Sequence, residues 1–136
     1  MRQLALRWLK FNFVGALGIV VQLASLTLLV SGLGVAYLPA TAAAVETAIL
    51  HNFIWHERFT WKDRTTDAGH RRVRDVAMRL VRFHAGNGVI SLVGNLALMR
   101  LLVGAWHMKY LLANGITIAM CSLLNFVASE WFVFRR

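Results

Sequence analysis

The chain has 136 residues, of which 58% are hydrophobic and only 15% are charged, yet its formal net charge is +9. A soluble domain usually has about a quarter of its residues charged and is less apolar. The composition therefore points away from that class, and the high apolar content also excludes intrinsic disorder. One proline and 10 glycines exclude collagen-like and linker-rich chains.

Four apolar segments follow one another along the chain, at residues 11–31, 38–56, 83–103 and 110–131. A helix rises about 1.5 Å per residue, so a hydrocarbon core of roughly 30 Å requires about 20 apolar residues. Strands are a poor alternative, because an open sheet leaves edge amides unpaired in lipid. The sequence therefore predicts an all-α membrane protein with four transmembrane helices in a single domain over 1–136.

Lysines and arginines are segregated to one side of these segments. Thirteen of the 15 lie in the N-terminal segment, in the long loop 57–82 and in the C-terminal tail, whereas Arg100 and Lys109 lie on the other side. Cytoplasmic loops of membrane proteins carry an excess of these residues. We therefore predict a multi-pass protein of the cytoplasmic (inner) cell membrane, with both termini and the long loop inside the cell.

The two halves of the chain resemble each other. Most matched pairs are 73 positions apart, and three pairs near the start of each half are 72 apart. The pairs are Tyr37 and Tyr110, Asn52 and Asn125, Phe53 and Phe126, Glu57 and Glu130, Phe59 and Phe132, Trp61 and Phe134, and then Arg7 and Arg79, Lys10 and Arg82, Phe11 and Phe83. Each half has two spans, so both halves enter the membrane from the same side, which predicts two parallel two-helix repeats.

Small and polar residues recur every four positions in the second helix of each half. The stripes consist of Ala40, Ala44, Ala48, Asn52 and His56 in the first half, and of Ala113, Thr117, Cys121, Asn125 and Ser129 in the second. Such a stripe winds slowly along one helix face, and small residues let helices approach closely in lipid. We interpret the stripes as packing seams between the two halves. Alanine as an ordinary helix former is the alternative.

Glu46 is an acid near the middle of the second predicted span. A carboxylate at that depth is costly, so it must be neutral, paired or in contact with water. Helical geometry puts it on the face opposite Ala48. One interpretation is a proton-linked or cation-pairing residue in a substrate path. The alternative is a protonated glutamate bonded to Gln22 or Asn95.

Amide side chains occur in every predicted span, and a buried amide requires a hydrogen-bond partner. Hydrogen bonds between helices are the simpler role for most of them. Asn52 and Asn125 stand apart, because each half carries one of them just before its cytoplasmic end.

The sequence contains no pattern typical of catalysis, of a metal site or of a cofactor site. His51 and His56 are five residues apart, so on a helix their rings diverge by about 140°. The single cysteine, Cys121, cannot form an intramolecular disulfide and fits a packing role. We predict a protein that is not an enzyme and that holds neither metal nor cofactor.

The later part of the long loop alternates arginines with apolar residues at helical spacing, namely Val73, Val76, Leu80 and Phe83. This pattern predicts an interfacial amphipathic helix that leads into the third span. Its arginines either attract anionic lipids or bind a lipid phosphate bidentately. Nucleic-acid binding is not expected of a chain that lies mostly in the bilayer.

Two runs, at residues 46–61 and 125–134, resemble the GtrA-like family of small four-helix membrane proteins. That family is similar to the membrane domain of some dolichyl-phosphate mannose synthases. The strongest motif, of the type NF-x-x-x-R-x-W-T-F, corresponds to residues 52–61. The chain departs from the family pattern where Phe59 directly follows Arg58.

The resemblance implies a role in cell-surface polysaccharide synthesis, in which a polyprenyl-phosphate-linked sugar crosses the membrane. Basic residues would then hold the lipid phosphate at the inner interface: Arg7, Lys10, Arg58, Arg79 and Arg82. A polar groove would shield the sugar, and its candidate residues are Gln22, Glu46, Asn52, Asn95 and Asn125. Four helices form a thin wall for such a path, which leaves a homodimer open.

Two alternatives from other functional classes stay open. In the first, the chain is a membrane anchor or docking subunit for a glycosyltransferase, and Glu46 is structural. In the second, it is a proton-coupled small-molecule exporter similar to small multidrug resistance proteins, which also have four spans and one membrane glutamate. The position of Glu46 in the second span and the long middle loop disfavour the exporter.

Overall fold

The computed structural model describes residues 1–65 and 73–134. Across these two ranges every regular element is helical and no strand is present, which confirms the predicted all-α class. The chain divides into two compact units, Met1–Thr65 and Thr66–Arg136, which we call unit 1 and unit 2. The predicted basic pair Arg71 and Arg72 and the two C-terminal arginines lie outside the described residues.

Unit 1 consists of two long helices and a short third one. Helix α1, Arg2–Thr27, continues into a π-helical turn at Leu28–Gly32. Helix α2, Tyr37–Trp55, continues into a π-helical turn at His56–Thr60, and the short helix α3 spans Lys62–Thr65. The connection between α1 and α2 is short, so the two helices run antiparallel.

Unit 2 also contains two long helical segments joined by a short connection. They consist of α4 at Val73–Phe83, a π-helical turn at His84–Gly88, α5 at Val89–Met99, a π-helical turn at Arg100–Ala105, α6 at Tyr110–Ala128 and a π-helical turn at Ser129–Val133. Helices α4 and α5 form one continuous helix from Val73 to Ala105 together with their π-helical turns. The predicted amphipathic segment is therefore helical and continuous with the third apolar segment.

The connection between the long helices passes through a left-handed residue in each unit. Gly34 has a φ of 66° in unit 1, and His107 has a φ of 51° in unit 2. In unit 1 the backbone N–H of Val35 donates to the carbonyl of Leu29 at 2.9 Å. A left-handed residue just past a helix end allows such a bond, which satisfies a carbonyl that the helix itself leaves unpaired.

The small-residue stripes are buried in both units. Ala40 and Ala44 are fully buried in α2, as are Ala113 and Thr117 in α6. Their neighbours on the stripes pack within their own unit, because Asn52 lies against Gly18 of α1 and Cys121 lies against Gly94 of α5. Close helix packing along the stripes is thus observed inside each unit, and the seam between the two halves stays a prediction.

Within the described residues, three helical segments are long and apolar enough to cross a membrane: Arg2–Gly32, Val73–Ala105 and Ile116–Val133. The predicted segment 38–56 forms α2 but is not one of these three. The reason is its polar content, since α2 contains Glu46 and the consecutive polar residues His51 and Asn52. The four-span arrangement therefore stays a prediction.

Candidate functional site

In unit 1 the basic residues of α1 contact the segment that follows α2. The Nζ atom of Lys10 lies 4.6 Å from the centre of the Phe59 ring and donates a 3.4 Å hydrogen bond to the Phe59 carbonyl. The guanidinium of Arg7 forms a salt bridge with the carboxylate of Asp63. The segment after α2 therefore folds back onto the first turns of α1, which is the end of unit 1 where the sequence is most basic.

Three residues with aromatic rings and one threonine form a cluster next to these charges. We call it the His56 cluster; its members are Phe11, His56, Thr60 and Trp61. The rings of Phe11 and His56 stack with centroids 4.7 Å apart and an interplanar angle of 10°. The Trp61 ring meets the His56 ring edge-on at 5.3 Å, and Trp61 is completely buried. The His56 Nδ1 and Thr60 Oγ1 atoms share a 3.0 Å hydrogen bond. Trp61, the last residue of the run 52–61, is thus part of the core of unit 1.

Unit 2 has a similar contact at its basic end. The guanidinium carbon of Arg82 lies 5.7 Å from the centre of the Phe132 ring. Below it Phe83 and Phe134 are buried, and so are Arg79 and Glu130. A cation over an aromatic ring is attracted by the negative face of the ring, so this contact fixes the direction of the Arg82 side chain.

The five predicted phosphate ligands fall into two groups. Arg58 and Arg82 are exposed and Lys10 is half-buried. The side chain of Arg7 is 13% exposed and is paired with Asp63, and Arg79 is buried. Arg58, Arg82 and Lys10 therefore have charges within reach of an external anion, whereas Arg7 and Arg79 are held within their units.

The predicted groove residues in the first half lie in unit 1. Glu46 is exposed on α2, while Ala44 and Ala48 on the other face are buried, in agreement with helical geometry. Gln22 is half-buried in α1. Asn52 is half-buried, with its Oδ1 atom 3.2 Å from the Nδ1 atom of His51.

The predicted groove residues in the second half lie in unit 2. The Nδ2 atom of Asn125 donates a 3.0 Å hydrogen bond to the Oγ atom of Ser91. Asn95 belongs to α5, and its side chain lies outside the described part of the structure. The described contacts of Asn52 and Asn125 are thus made within their own units.

Unit 2 also contains buried polar atoms without hydrogen-bond partners. Five buried side-chain atoms in the described ranges have no hydrogen-bond partner: Nδ2 and Oδ1 of Asn87, Oγ1 of Thr117, Oδ1 of Asn125 and Oγ of Ser129. The spacing of four that puts Asn125 and Ser129 on one helix face also relates Asn87 to Ser91, and this second pair was not among the predicted site residues. Among the residues described, no group of three His, Cys, Asp or Glu side chains could hold a metal ion.

A known protein family matches most of this chain. Residues 10–134 match the GtrA/DPMS transmembrane domain family. The chain belongs to this family. Membership confirms the resemblance seen in the sequence, and it implies a multi-pass membrane protein with a role in glycosylation or polysaccharide synthesis.

Two relatives show how GtrA/DPMS domains occur. The chain is similar to the membrane protein YwcD of Bacillus subtilis (strain 168), with 29% identity over 126 residues that cover 93% of this chain and 94% of that protein. It is also similar to a dolichol-phosphate mannosyltransferase of Pyrococcus furiosus, with 33% identity over 124 residues. That match covers 91% of this chain but only 32% of the relative. The domain therefore matches nearly the whole of one relative and a minor part of the other.

Proposed function

We propose that this protein translocates, or assists in translocating, a polyprenyl-phosphate-linked sugar across the cytoplasmic membrane, and that it catalyses no reaction itself. Family membership supports the link to lipid-linked sugars. The observation that carries the proposal further is the exposed positive charge at one end of each unit, at Arg58 and Arg82. Arginine matches the geometry of phosphate oxygens, so each end offers a contact for a lipid phosphate.

The proposed topology has four spans, with both termini in the cytoplasm. Helix α2 is proposed as the second of these spans. Its 19 residues extend about 28 Å, which is close to the thickness of the hydrocarbon core. It runs antiparallel to α1, which is itself apolar enough to cross. In this topology the basic end of each unit faces the anionic lipids of the inner leaflet.

The two units are proposed to be parallel repeats, and their internal geometry supports this. The left-handed residues Gly34 and His107 are 73 positions apart, which is the offset found in the sequence. The backbone bond from Val35 to Leu29 recurs at the same offset and the same 2.9 Å, from Met108 to Leu102. The cation–ring contact also recurs, with Lys10 and Phe59 in unit 1 and with Arg82 and Phe132 in unit 2.

Within this scheme Arg58, Lys10 and Arg82 hold the lipid phosphate, and Arg7 and Arg79 stabilise the basic ends. The buried or paired state of Arg7 and Arg79 supports that division. The sugar needs a polar path, because an unpaired hydroxyl in an apolar medium costs about 2–7 kcal/mol. The exposed carboxyl of Glu46 and the amides of Gln22, Asn52, Asn95 and Asn125 are the proposed lining.

The test is transport of a fluorescent short-chain polyprenyl-phosphate hexose by the full chain in proteoliposomes. We expect Arg58→Ala to slow transport roughly 10-fold or more, because a charge-assisted hydrogen bond contributes about 1.5–3 kcal/mol. We also expect Glu46→Gln to slow it. Arg100→Ala and Thr47→Ala are the matched controls, since both residues are exposed and neither belongs to the proposed site.

Insertion and stability of each variant are measured in parallel. Unchanged transport in both Arg58→Ala and Glu46→Gln would remove the site assignment. No transport by the unmodified protein, in vesicles where it is correctly inserted, would remove translocation as its own activity.

A second candidate function is a membrane anchor for a glycosyltransferase. The Pyrococcus furiosus relative favours it, because about two thirds of a protein named as a mannosyltransferase lies outside the match. Helix α4 would then be the docking surface, since Val73, Met78 and Val81 on it are exposed. Co-purification with a membrane glycosyltransferase, combined with no transport by the isolated protein, would favour the anchor.

A further inference from the structure

We propose that unit 2 alone contains the site that recognises the sugar, and that Asn87, Ser91, Asn125 and Ser129 form it. This inference rests on the proposed function and adds to it the place on the proposed polar path where the sugar is recognised. Its chemical claim is that these neutral amides and hydroxyls bind sugar hydroxyl groups.

The first observation is the set of buried polar atoms without hydrogen bonds. Both polar atoms of the Asn87 side chain, the Oδ1 atom of Asn125 and the Oγ atom of Ser129 belong to it, and Ser129 is completely buried. The fifth such atom in the described ranges is the Oγ1 atom of Thr117, also in unit 2. A buried polar atom that lacks a partner destabilises a protein by about 1–3 kcal/mol. A ligand that hydrogen-bonds to these atoms offsets that cost.

The second observation is that Ser91 and Asn125 meet at one seam between the two helical segments of unit 2. Asn87 and Ser129 lie one turn further along these segments, in the π-helical turns His84–Gly88 and Ser129–Val133. Asn87 and Ser91 are four residues apart, as are Asn125 and Ser129, so each pair shares a helix face. The hydrogen bond between Asn125 and Ser91 joins the two faces. At the level of Asn87 the segments are also close, because a Cβ atom on Gly86 would lie 3.9 Å from the Cβ atom of Ala128.

The third observation concerns the backbone around Asn87. This residue lies in the π-helical turn His84–Gly88, which has an α-helix on both sides. In the part of the chain that the structure describes, every other π-helical turn is followed by a non-helical residue. π-Helical turns inserted within a continuous helix occur frequently at functional sites.

The chemistry of the four side chains selects the class of ligand. An amide and a hydroxyl each offer both a donor and an acceptor, as a sugar hydroxyl does. A phosphate requires cationic partners, and a hard metal ion requires carboxylate or carbonyl oxygens in larger number. A neutral, hydroxyl-rich ligand therefore fits this seam, and the sugar of the transported lipid is that ligand.

Two of the four equivalent positions of unit 1 are occupied by internal contacts, and the other two, Gly15 and Ile19, have no polar side chain. In the repeat, Asn52 corresponds to Asn125 and His56 corresponds to Ser129. Asn52 packs against Gly18, and the His56 ring is stacked on Phe11 and hydrogen-bonded to Thr60. The sugar site is therefore assigned to unit 2 and not to both units.

The test compares two kinds of lipid on the full chain in nanodiscs. The probes are polyprenyl phosphates of one chain length that carry glucose, mannose, galactose or no sugar. The measured quantity is the ratio of the Kd for the bare lipid, which has no sugar, to the Kd for the sugar lipid that binds best. We expect Asn87→Ala and Ser129→Ala each to lower this ratio roughly 3- to 10-fold while Kd for the bare lipid stays the same, because each loses about one neutral hydrogen bond. Thr47→Ala is the matched control, because its hydroxyl is bonded to the Ala43 carbonyl at 2.8 Å and is exposed.

The outcomes separate this inference from the proposed function. An unchanged ratio in both variants, or equal affinity of the unmodified protein for all four lipids, would overturn the sugar site and leave lipid transport standing. Failure of the unmodified protein to bind any of the four would overturn the proposed function as well. Thermal melting of each variant identifies a purely structural role, which would move the melting temperature and leave the ratio unchanged.

Discussion

The side-chain amide of Asn52 in α2 lies directly against the α-carbon of Gly18 in α1. A Cβ atom on Gly18 would lie 2.6 Å from the Nδ2 atom and 2.8 Å from the Cγ atom of Asn52. We expect Gly18→Ala to lower the stability of the protein by about 1–3 kcal/mol, because overpacking forces the amide or the backbone to move. Thermal unfolding in detergent, followed by circular dichroism, measures the effect.

Gly15 provides the matched control on the same helix. A Cβ atom on Gly15 would meet nothing within 4 Å, so Gly15→Ala should raise stability by about 0.5–1 kcal/mol. The double variant Gly18→Ala/Asn52→Ala should recover part of the loss, since the two residues are in contact and their effects are not additive. Equal stability of Gly15→Ala and Gly18→Ala would contradict the close approach.

The left-handed residues in the two connections give a second prediction. His107 adopts a φ of 51°, which costs a residue with a side chain about 1–2 kcal/mol, whereas Gly34 adopts a φ of 66° at no such cost. His107→Gly should therefore raise stability by about 0.5–1 kcal/mol after the greater flexibility of the unfolded chain is included. Gly34→Ala should lower stability by about 1–2 kcal/mol. If the two substitutions shift the melting temperature in the same direction, the shared backbone geometry is wrong.

The topology can be tested with single cysteines and a membrane-impermeant maleimide. The natural Cys121 is 5% exposed and is first replaced by alanine. In intact cells we expect labelling of Leu33→Cys and Trp106→Cys, which lie in or beside the short connections. Arg2→Cys and Lys62→Cys should react only after the membrane is permeabilised, because the proposed topology puts the basic ends in the cytoplasm. Labelling of Lys62→Cys but not of Arg2→Cys in intact cells would show that α1 and α2 do not both cross the membrane.

The sequence predicted the helical class and the family, because both depend on local patterns of apolar residues and on short motifs. The predicted spans left the ends of the helices open. Helix α1 begins at Arg2, before the predicted span 11–31, and α4 continues into α5 as the predicted amphipathic helix leading into the third span. Arginine and lysine are good helix formers whose apolar stems can follow a membrane interface, so a change in charge does not mark the end of a helix.

Contacts between distant residues could not be predicted from periodicity. The salt bridge between Arg7 and Asp63 joins residues separated by 56 positions, and the Phe11–His56 stack joins residues separated by 45. Both depend on the chain after α2 folding back onto α1, for which a single sequence gives no signal. Nothing in the sequence therefore indicated that the Arg7 side chain is 13% exposed and paired with Asp63.

The continuous helix Val73–Ala105 has a mechanical consequence. Its 33 residues extend about 50 Å, which exceeds the thickness of the hydrocarbon core by about 20 Å. The amphipathic part, Val73–Phe83, is therefore joined to the apolar part by continuous helix and not by a flexible loop. Kinks in helices concentrate at π-helical turns, and the turn His84–Gly88, which contains Asn87, lies at the junction of these two parts.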